Sequence, residues 1–484
     1  MNPTIDYHAI LPELILSGTL VVVLVVDVFL RPPRKWLAMP LSFAGVLAAF
    51  VATLTLIGAD RTTFGGSYHV DPFAVLFKVF FLSVAMIVLF LSLRYFREGR
   101  YYQGEYYFLL LSSVLGCVMM PSSRDLLMLF ISLELVSAPA FLIAAFRKND
   151  PRSNEAGLKF FLIGVLSSAV MLYGMSLIYG VTGSTNLYEI GKALAGHLGG
   201  QETLALAAIL FVVTGFAFKV SAFPFQFWAP DTYEGAPVPV TAFLASASKA
   251  AGFTGLLQLM FVAFIHQAAF WGPVFASFSI FTMSIGNLVA LQQRQAVRLL
   301  AYSSIAQAGY MLLPFALAGH GVDKEAFAAA VTYILIYAIM NLGAFAVVVA
   351  VSRKSSALLI ADFAGLMRNA PLLALAMTIF MVSLAGVPPT AGFWGKFFVF
   401  RAGIDAGGIG IALAVVMVVN SVISLFYYLA IPRQMILVEG PEEPMRSPAL
   451  VTFVAALAAA AVIAVFVYPD LIAHFPPLST LVGS

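Results

Sequence analysis

Charge is scarce in this sequence: only 10% of its 484 residues are Asp, Glu, Lys or Arg, and the formal net charge is +3. So small an imbalance leaves no electrostatic footprint for a nucleic-acid partner. Cysteine occurs once, as Cys117 in an apolar run, which excludes a disulfide frame, a CxxC pair and a thiolate cluster. The six histidines, His8, His69, His197, His266, His320 and His474, fall in or near predicted loops and tails. No buried histidine pair is therefore expected to ligate haem. The amino-terminal stretch lacks the basic region and cleavage site of a signal peptide, so the apolar segment from Ile10 to Leu30 is expected to be retained.

What the chain has in abundance is apolar surface, with 61% hydrophobic residues and a mean hydropathy of +0.97. That balance predicts an all-α polytopic membrane protein lying almost wholly in lipid. Apolar runs predict fourteen spans, at 10–30, 37–58, 71–93, 106–121, 125–146, 157–180, 203–228, 237–265, 269–291, 298–318, 326–351, 371–402, 409–431 and 449–469. The loops between them are short, and none has room for a soluble domain. The longest, around 182–202, is Gly-rich and is expected on the membrane surface.

Charge placement predicts an orientation. Loops after odd-numbered spans carry sixteen basic residues, among them Arg100 and Arg446, whereas loops after even-numbered spans carry five, Arg124 among them. By the positive-inside rule the first set is cytoplasmic and both termini face outward.

Five basic residues remain, Lys78, Lys159, Lys219, Lys249 and Lys396, and all are lysines. Lysine can lose its proton when desolvated; arginine effectively cannot. A charge at mid-bilayer depth costs about 2.5–3.5 kcal/mol even on the lenient insertion scale. Sorted the same way, the acids leave Glu134 as the one carboxylate near the middle of a span. Lys78, two turns inside its helix, is expected to be structural and to snorkel outward. Lys159 is one turn into span six, where either snorkelling or an inner intake to a polar path accounts for it. For Lys219, Lys249, Lys396 and Glu134 the plain alternative is a buried ion pair that fixes packing, yet one acid cannot neutralise three bases.

Two spans are predicted to be broken. Pro224 follows Lys219 by five residues and removes a hydrogen bond to the Val220 carbonyl. The Asp231–Glu234 stretch is expected as an acidic turn between two apolar helices. The twelfth span is too long for one straight crossing, and its AGVPPTAGFWGK segment breaks it at Pro388 and Pro389, with Lys396 two turns beyond. Broken spans seven and twelve lie five apart, an odd offset that gives opposite orientations, as an inverted five-helix repeat requires. Arg124 opens span five as Arg298 opens span ten, although Gln307 stands near the depth of Glu134. The expected organisation is helices one to three at 1–105, repeats at 106–265 and 269–433, and a last helix and tail at 449–484.

The segments FPFQFWAPDTYEGAPVPVTAFLASASKAAGF and SLAGVPPTAGFWGKFFVF resemble the antiporter-like membrane subunits of respiratory complex I, NADH-quinone oxidoreductase. Lys249 makes the likeness strongest to the N type, since the L and M types look to carry histidine there. The resemblance covers essentially the whole chain. It implies inverted repeats of helices 4–8 and 9–13, and a proton-translocating subunit driven by quinone reduction elsewhere in the complex. Glu134 would be the acid paired with Lys219, Lys159 would lie near the cytoplasmic intake, Lys249 would be the central relay and Lys396 the exit-side lysine. NADH, FMN, iron–sulfur clusters and quinone would belong to other subunits, with no redox chemistry in this chain. Its partners would be the other membrane subunits, lipid and protons, in a bacterial inner membrane. A cation/proton antiporter subunit or a membrane-bound hydrogenase subunit shares the same motifs, and a passive scaffold is the remaining alternative.

Overall fold

A computed structural model describes residues 5–98, 103–355, 357–440 and 448–473. His474, Arg100, Arg446 and the tail beyond residue 473 lie outside the described residues. Thirteen helices within them are long and apolar enough to cross a membrane. The broken twelfth span adds a fourteenth crossing, as Pro371–Ala385 followed by Ala391–Ala406. The chain is all-α as expected, except for a short antiparallel hairpin, Arg61–Thr63 with Tyr68–Val70. Gly65 and Gly66, at φ 66 and 90, make the tight reversal between those strands, where a Cβ would be strained.

The chain separates into two compact units. The first gathers the chain up to Lys219 together with Gly235–Ala268, and the second takes Val220–Glu234 and the chain from Ala269 onward. In the first unit Val238–Ala263 is buried along its whole length, and in the second Ala296–Ala316 and Asp323–Val351 are buried almost throughout. Each unit therefore has a central helix with no lipid-facing stripe, which is why those sequences show no apolar face set against a polar one.

Helix boundaries follow local capping chemistry. Asp125 accepts from the Leu127 N–H and starts Leu126–Ala144, and Asp150 accepts from the Arg152 N–H and starts Pro151–Thr182. Pro151 fits the first helical turn because its missing N–H would have had no partner there. That helix runs 32 residues and ends on left-handed Gly183, so it is longer than the 157–180 expected. The loop after it is ordered by a further helix, Leu187–Ala195, capped by Asn186, which buries Leu187, Ile190 and Leu194. In the second unit the Gln295 side chain caps Ala296–Ala316 by accepting from the Arg298 N–H. Each unit contains a bridge of the same kind: Asp125 pairs antiparallel with Asn186 in the first, and Gln295 with Leu359 in the second.

Both predicted breaks are full interruptions. Glu202–Val220 ends beside Lys219, Ser221 takes a left-handed φ of 61, and helix resumes only at Trp228. Asp231 and Glu234 are thus not in a turn: they lie on the helix Trp228–Gly235, where Trp228 and Tyr233 find buried positions. In the twelfth span Gly386, at φ 86, closes the first half, and Gly392 lets the second half press against it. A third irregularity left no trace in the pattern of apolar residues. Val238–Ala263 contains π-helical turns at Leu244–Ser248 and Leu259–Ala263, the first directly before Lys249. Such turns recur at functional sites.

The Gly392 packing gives a direct test of the second break. A Cβ there would stand 1.8 Å from the Ser383 carbonyl oxygen, whereas a Cβ on Gly18 meets nothing within 4 Å. Gly392→Ala is expected to lower stability by about 1–3 kcal/mol or more, the cost of overpacking. Thermal unfolding of the purified protein in detergent reads it, with Gly18→Ala expected to match the parent.

Candidate functional site

In the first unit the centre of interest is one face of Leu126–Ala144. Glu134 and Ser137 are three residues apart and so neighbours on that face. The Lys219 ammonium donates to Ser137 Oγ at 2.9 Å, and Ser168 Oγ donates to Glu134 Oε1 at 2.5 Å. Lys219 is buried, while Glu134 is only half-buried. The acid and the lysine thus meet at the same helix, Lys219 through Ser137, which also donates to the Leu133 carbonyl and had no signal in the sequence. Lys219 sits in the last turn of Glu202–Val220. There the unpaired carbonyls and the negative end of the helix dipole favour a cation.

Lys249 is buried at the point where the π-helical turn gives way to regular helix. Lys159 differs from the other relay candidates. Its side chain is 43% exposed and pairs with Glu155 at 2.7 Å on the same helix. It stands at the rim of the unit, not in its interior.

Lys78 corrects an expectation. It does not snorkel: its side chain is fully buried, and Nζ donates to Glu13 Oε1 at 2.7 Å and to the Tyr68 hydroxyl at 3.1 Å. Arg124, counted above with the loops, is also fully buried and donates to Asp71 Oδ2 at 2.6 Å and to the Pro121 carbonyl at 2.8 Å. Glu134 is thus one of several carboxylates inside the protein, alongside Glu13 and Asp71. The latter two lie at helix starts, where position in the sequence alone suggests access to water.

The second unit repeats the helix-end arrangement in another form. Lys396 lies beyond its break, yet Nζ turns back to donate to the Ala385 carbonyl at 2.8 Å, the last residue of Pro371–Ala385. The neighbouring Leu384 carbonyl accepts from Gln307 Nε2 at 2.9 Å. The ammonium also stands 4.7 Å from the centre of the Tyr310 ring. Around these lies a hydrogen-bonded group of uncharged side chains. Gln307 donates to the Tyr428 hydroxyl at 2.9 Å and accepts from Tyr333 at 2.5 Å, and Asn287 donates to Tyr310 at 3.0 Å and to Asn420 Oδ1 at 3.1 Å. A cavity of about 400 Å³ adjoins Lys396, lined also by Gly386, Phe397, Met417 and Ser421. Arg298 pairs with Asp231 at 2.9 Å and Glu234 at 2.7 Å in a partly exposed position. That explains why an arginine opens this helix too.

This chemistry can hold and move protons. It offers buried amines, a carboxylate, hydroxyls and free helix-end carbonyls, and its charged members are ones able to change protonation state. Among the described residues no three His, Cys, Asp or Glu side chains gather in a way that would hold a metal ion.

Residues 123–424 match the family model described as NADH:quinone oxidoreductase/Mrp antiporter, transmembrane. The NADH-quinone oxidoreductase subunit N of Trichlorobacter lovleyi is 42% identical over 441 residues, covering 91% of this chain and 89% of that protein. A chain of respiratory complex I from Thermus thermophilus superposes with a TM-score of 0.80 at 31% identity, over 96% of this chain and 98% of that one. A chain of the Mrp complex from Dietzia sp. reaches a TM-score of 0.83 over 99% of this chain and 97% of that one; at 20% identity this is a likeness of fold alone. With buried lysines set at two broken helices and relatives this similar along nearly their whole length, the chain belongs to the NADH-quinone oxidoreductase subunit N family of antiporter-like membrane proteins.

Proposed function

We propose that this chain is a proton-translocating membrane subunit of an NADH:quinone oxidoreductase, and that Glu134, Lys159, Lys219, Lys249 and Lys396 carry the protons. The observation that carries the reading is the placement of Lys219 and Lys396, each at the carboxyl end of an interrupted helix inside its own unit. A broken membrane helix whose free carbonyls face a buried charge is an ion site by construction.

In the first unit Ser137 and Ser168 give Glu134 and Lys219 alternative partners. A buried ammonium is costly, and a nearby carboxylate relieves that cost. When Glu134 swings toward Lys219 the amine holds its proton; when Glu134 turns to Ser168 the proton is released toward Lys249. Lys159, paired with Glu155 at the rim, takes the intake position. Lys396 does the corresponding work in the second unit, with Gln307 holding the helix end open. Electron transfer, with NADH, FMN, iron–sulfur clusters and quinone, belongs to partner subunits, so quinone reduction drives this chain from outside it.

The two expected repeats, 106–265 and 269–433, draw support from the matching bridges at Asp125–Asn186 and Gln295–Leu359 and from the paired arginines Arg124 and Arg298. We place the chain in a bacterial inner membrane with both termini outward. The burial of Arg124 removes it from the sparsely charged set of loops, which strengthens the bias behind that orientation.

Two measurements test this reading on the whole complex in sealed vesicles. Lys219→Ala and Lys396→Ala are each expected to slow coupled quinone reduction and proton uptake together, by at least about tenfold, a threshold set below the roughly hundredfold or more that a positioned proton carrier typically contributes. Normal rates in an assembled complex would remove these lysines from the mechanism. Glu134→Gln keeps the Ser168 hydrogen bond but cannot offer Lys219 a negative charge. It is expected to lose pumping while its assembly matches the parent, whereas Ser168→Ala, which frees Glu134, should retain it. Equal pumping by Glu134→Gln and the parent would leave the carboxylate without a role.

A further inference from the structure

The relay proposed above does not use Glu13, Tyr68, Lys78, Asp71, Arg124 or Gln258, yet these form the most heavily charged buried group in the first unit. We propose that Glu13 and Lys78 are a proton exit belonging to this unit. The inference rests on the relay reading and extends it to the membrane face where the first helix begins.

The two ion pairs are joined by backbone as well as by side chains. Tyr68, whose hydroxyl donates to Glu13 Oε1 at 2.7 Å, forms a β-bridge with Ser123, and the Arg124 N–H donates to the Ser67 carbonyl at 2.9 Å. Asp71, the partner of Arg124, accepts from the Ala74 N–H at 2.7 Å and so caps the helix that carries Lys78 two turns on. Arg124 also donates to Gln258, which lies on the same buried helix as Lys249, nine residues or about 13 Å further along. Gln258 anchors that end of the helix by donating to the Met120 carbonyl at 3.0 Å. These contacts tie the helix of Lys249 to that of Lys78; Arg124 keeps its proton and Gln258 has none to release, so they hold the two helices in place without carrying the proton.

Two features separate this group from a packing device. First, the carboxylate of Glu13 is unevenly satisfied. Oε1 accepts from both Lys78 and Tyr68, while Oε2 is buried with no hydrogen-bond partner among the described residues. The group is held in place yet keeps one basic oxygen free. Second, the pair is not sealed evenly: the Lys78 side chain is 0% exposed, whereas that of Glu13 is 10% exposed. Nearby in the chain, Arg61 holds Asp6 below the usual carboxylate range, and Asp6 accepts from the His8 and Ala9 N–H groups just before the helix of Glu13. A purely structural ion pair needs neither feature and stabilises weakly at best.

The transfer conserves charge. Lys78 passes a proton from Nζ to Glu13, leaving a neutral amine beside a neutral acid. Glu13, whose side chain is 10% exposed, then releases the proton to water, and Lys78 is reloaded across bridging water from the Lys249 side.

Glu13→Gln, Glu13→Asp and Lys219→Ala in the vesicle-reconstituted complex test the proposal, following quinone reduction and proton uptake. Gln keeps the shape and the acceptor for Lys78 and Tyr68 but cannot take a proton; Asp keeps the acid on a shorter arm. A proton exit predicts that Glu13→Gln falls by at least about tenfold and that Glu13→Asp retains more activity than Glu13→Gln. A packing role predicts the reverse order, because the shape-preserving change is then the milder one. Equal or better pumping by Glu13→Gln overturns the exit, as does a Glu13→Gln complex that fails to assemble, since the charge would then be holding the fold. If Lys219→Ala pumps normally, the relay reading fails. If only Glu13→Gln pumps normally, the exit alone fails.

Discussion

The structure depends on placing an ammonium at the carboxyl end of a helix that stops inside the membrane. Free carbonyls in hydrocarbon are costly, and so is a buried cation. Put together, each relieves the other, with the helix dipole adding to the attraction. Lys396 does this by reaching back across the break to the Ala385 carbonyl, while Lys219 stands in the last turn of its own half-helix and donates its hydrogen bond to Ser137 Oγ. The left-handed residues at the ends, Ser221 and Gly386, turn the chain away, and at the second break side chains take over: Gln307 bonds the Leu384 carbonyl and Lys396 that of Ala385. A site built this way remains sensitive to protonation, because losing the proton removes the charge that the helix-end dipole favours and leaves only a neutral amine's weaker hydrogen bond.

The remaining buried polarity is arranged to leave few groups without partners. The first unit uses charge against charge, with Lys78 on Glu13 and Arg124 on Asp71. The second unit uses neutral side chains, in which Gln307, Tyr333, Tyr428, Asn287 and Asn420 exchange hydrogen bonds around the Lys396 break. Gln307, expected from the sequence near the depth of Glu134, is an amide that bonds a helix-end carbonyl. The halves of the chain each have a bridge of one kind and a broken helix but differ in what surrounds the lysine.

This division explains how a chain without redox chemistry serves a redox-driven complex. In the proposed relay the working parts respond to the position of a charge, and Glu134, bonded to Ser168, is the group that would move. The long helix Pro151–Thr182 carries both Ser168 and Lys159, so a shift of that one element reaches the acid and the rim together.

The sequence by itself determined the class, the fourteen crossings, the two breaks and the lysines beside them. Charge and proline inside an apolar run are rare and costly, so one dimension is enough to see them. It could not decide the fate of charges at helix ends. Lys78, Arg124, Glu13 and Asp71 each lie within reach of water along the helix axis, and only neighbours from distant segments, such as Tyr68 and Gln258, show that they are buried. Nor could it show the Asp231–Glu234 helix, whose acids are held by Arg298 some sixty residues away. The π-helical turn before Lys249 and the neutral network around Gln307 were hidden for a related reason. Their residues look ordinary in an apolar helix until packing decides which carbonyls and hydroxyls they must satisfy.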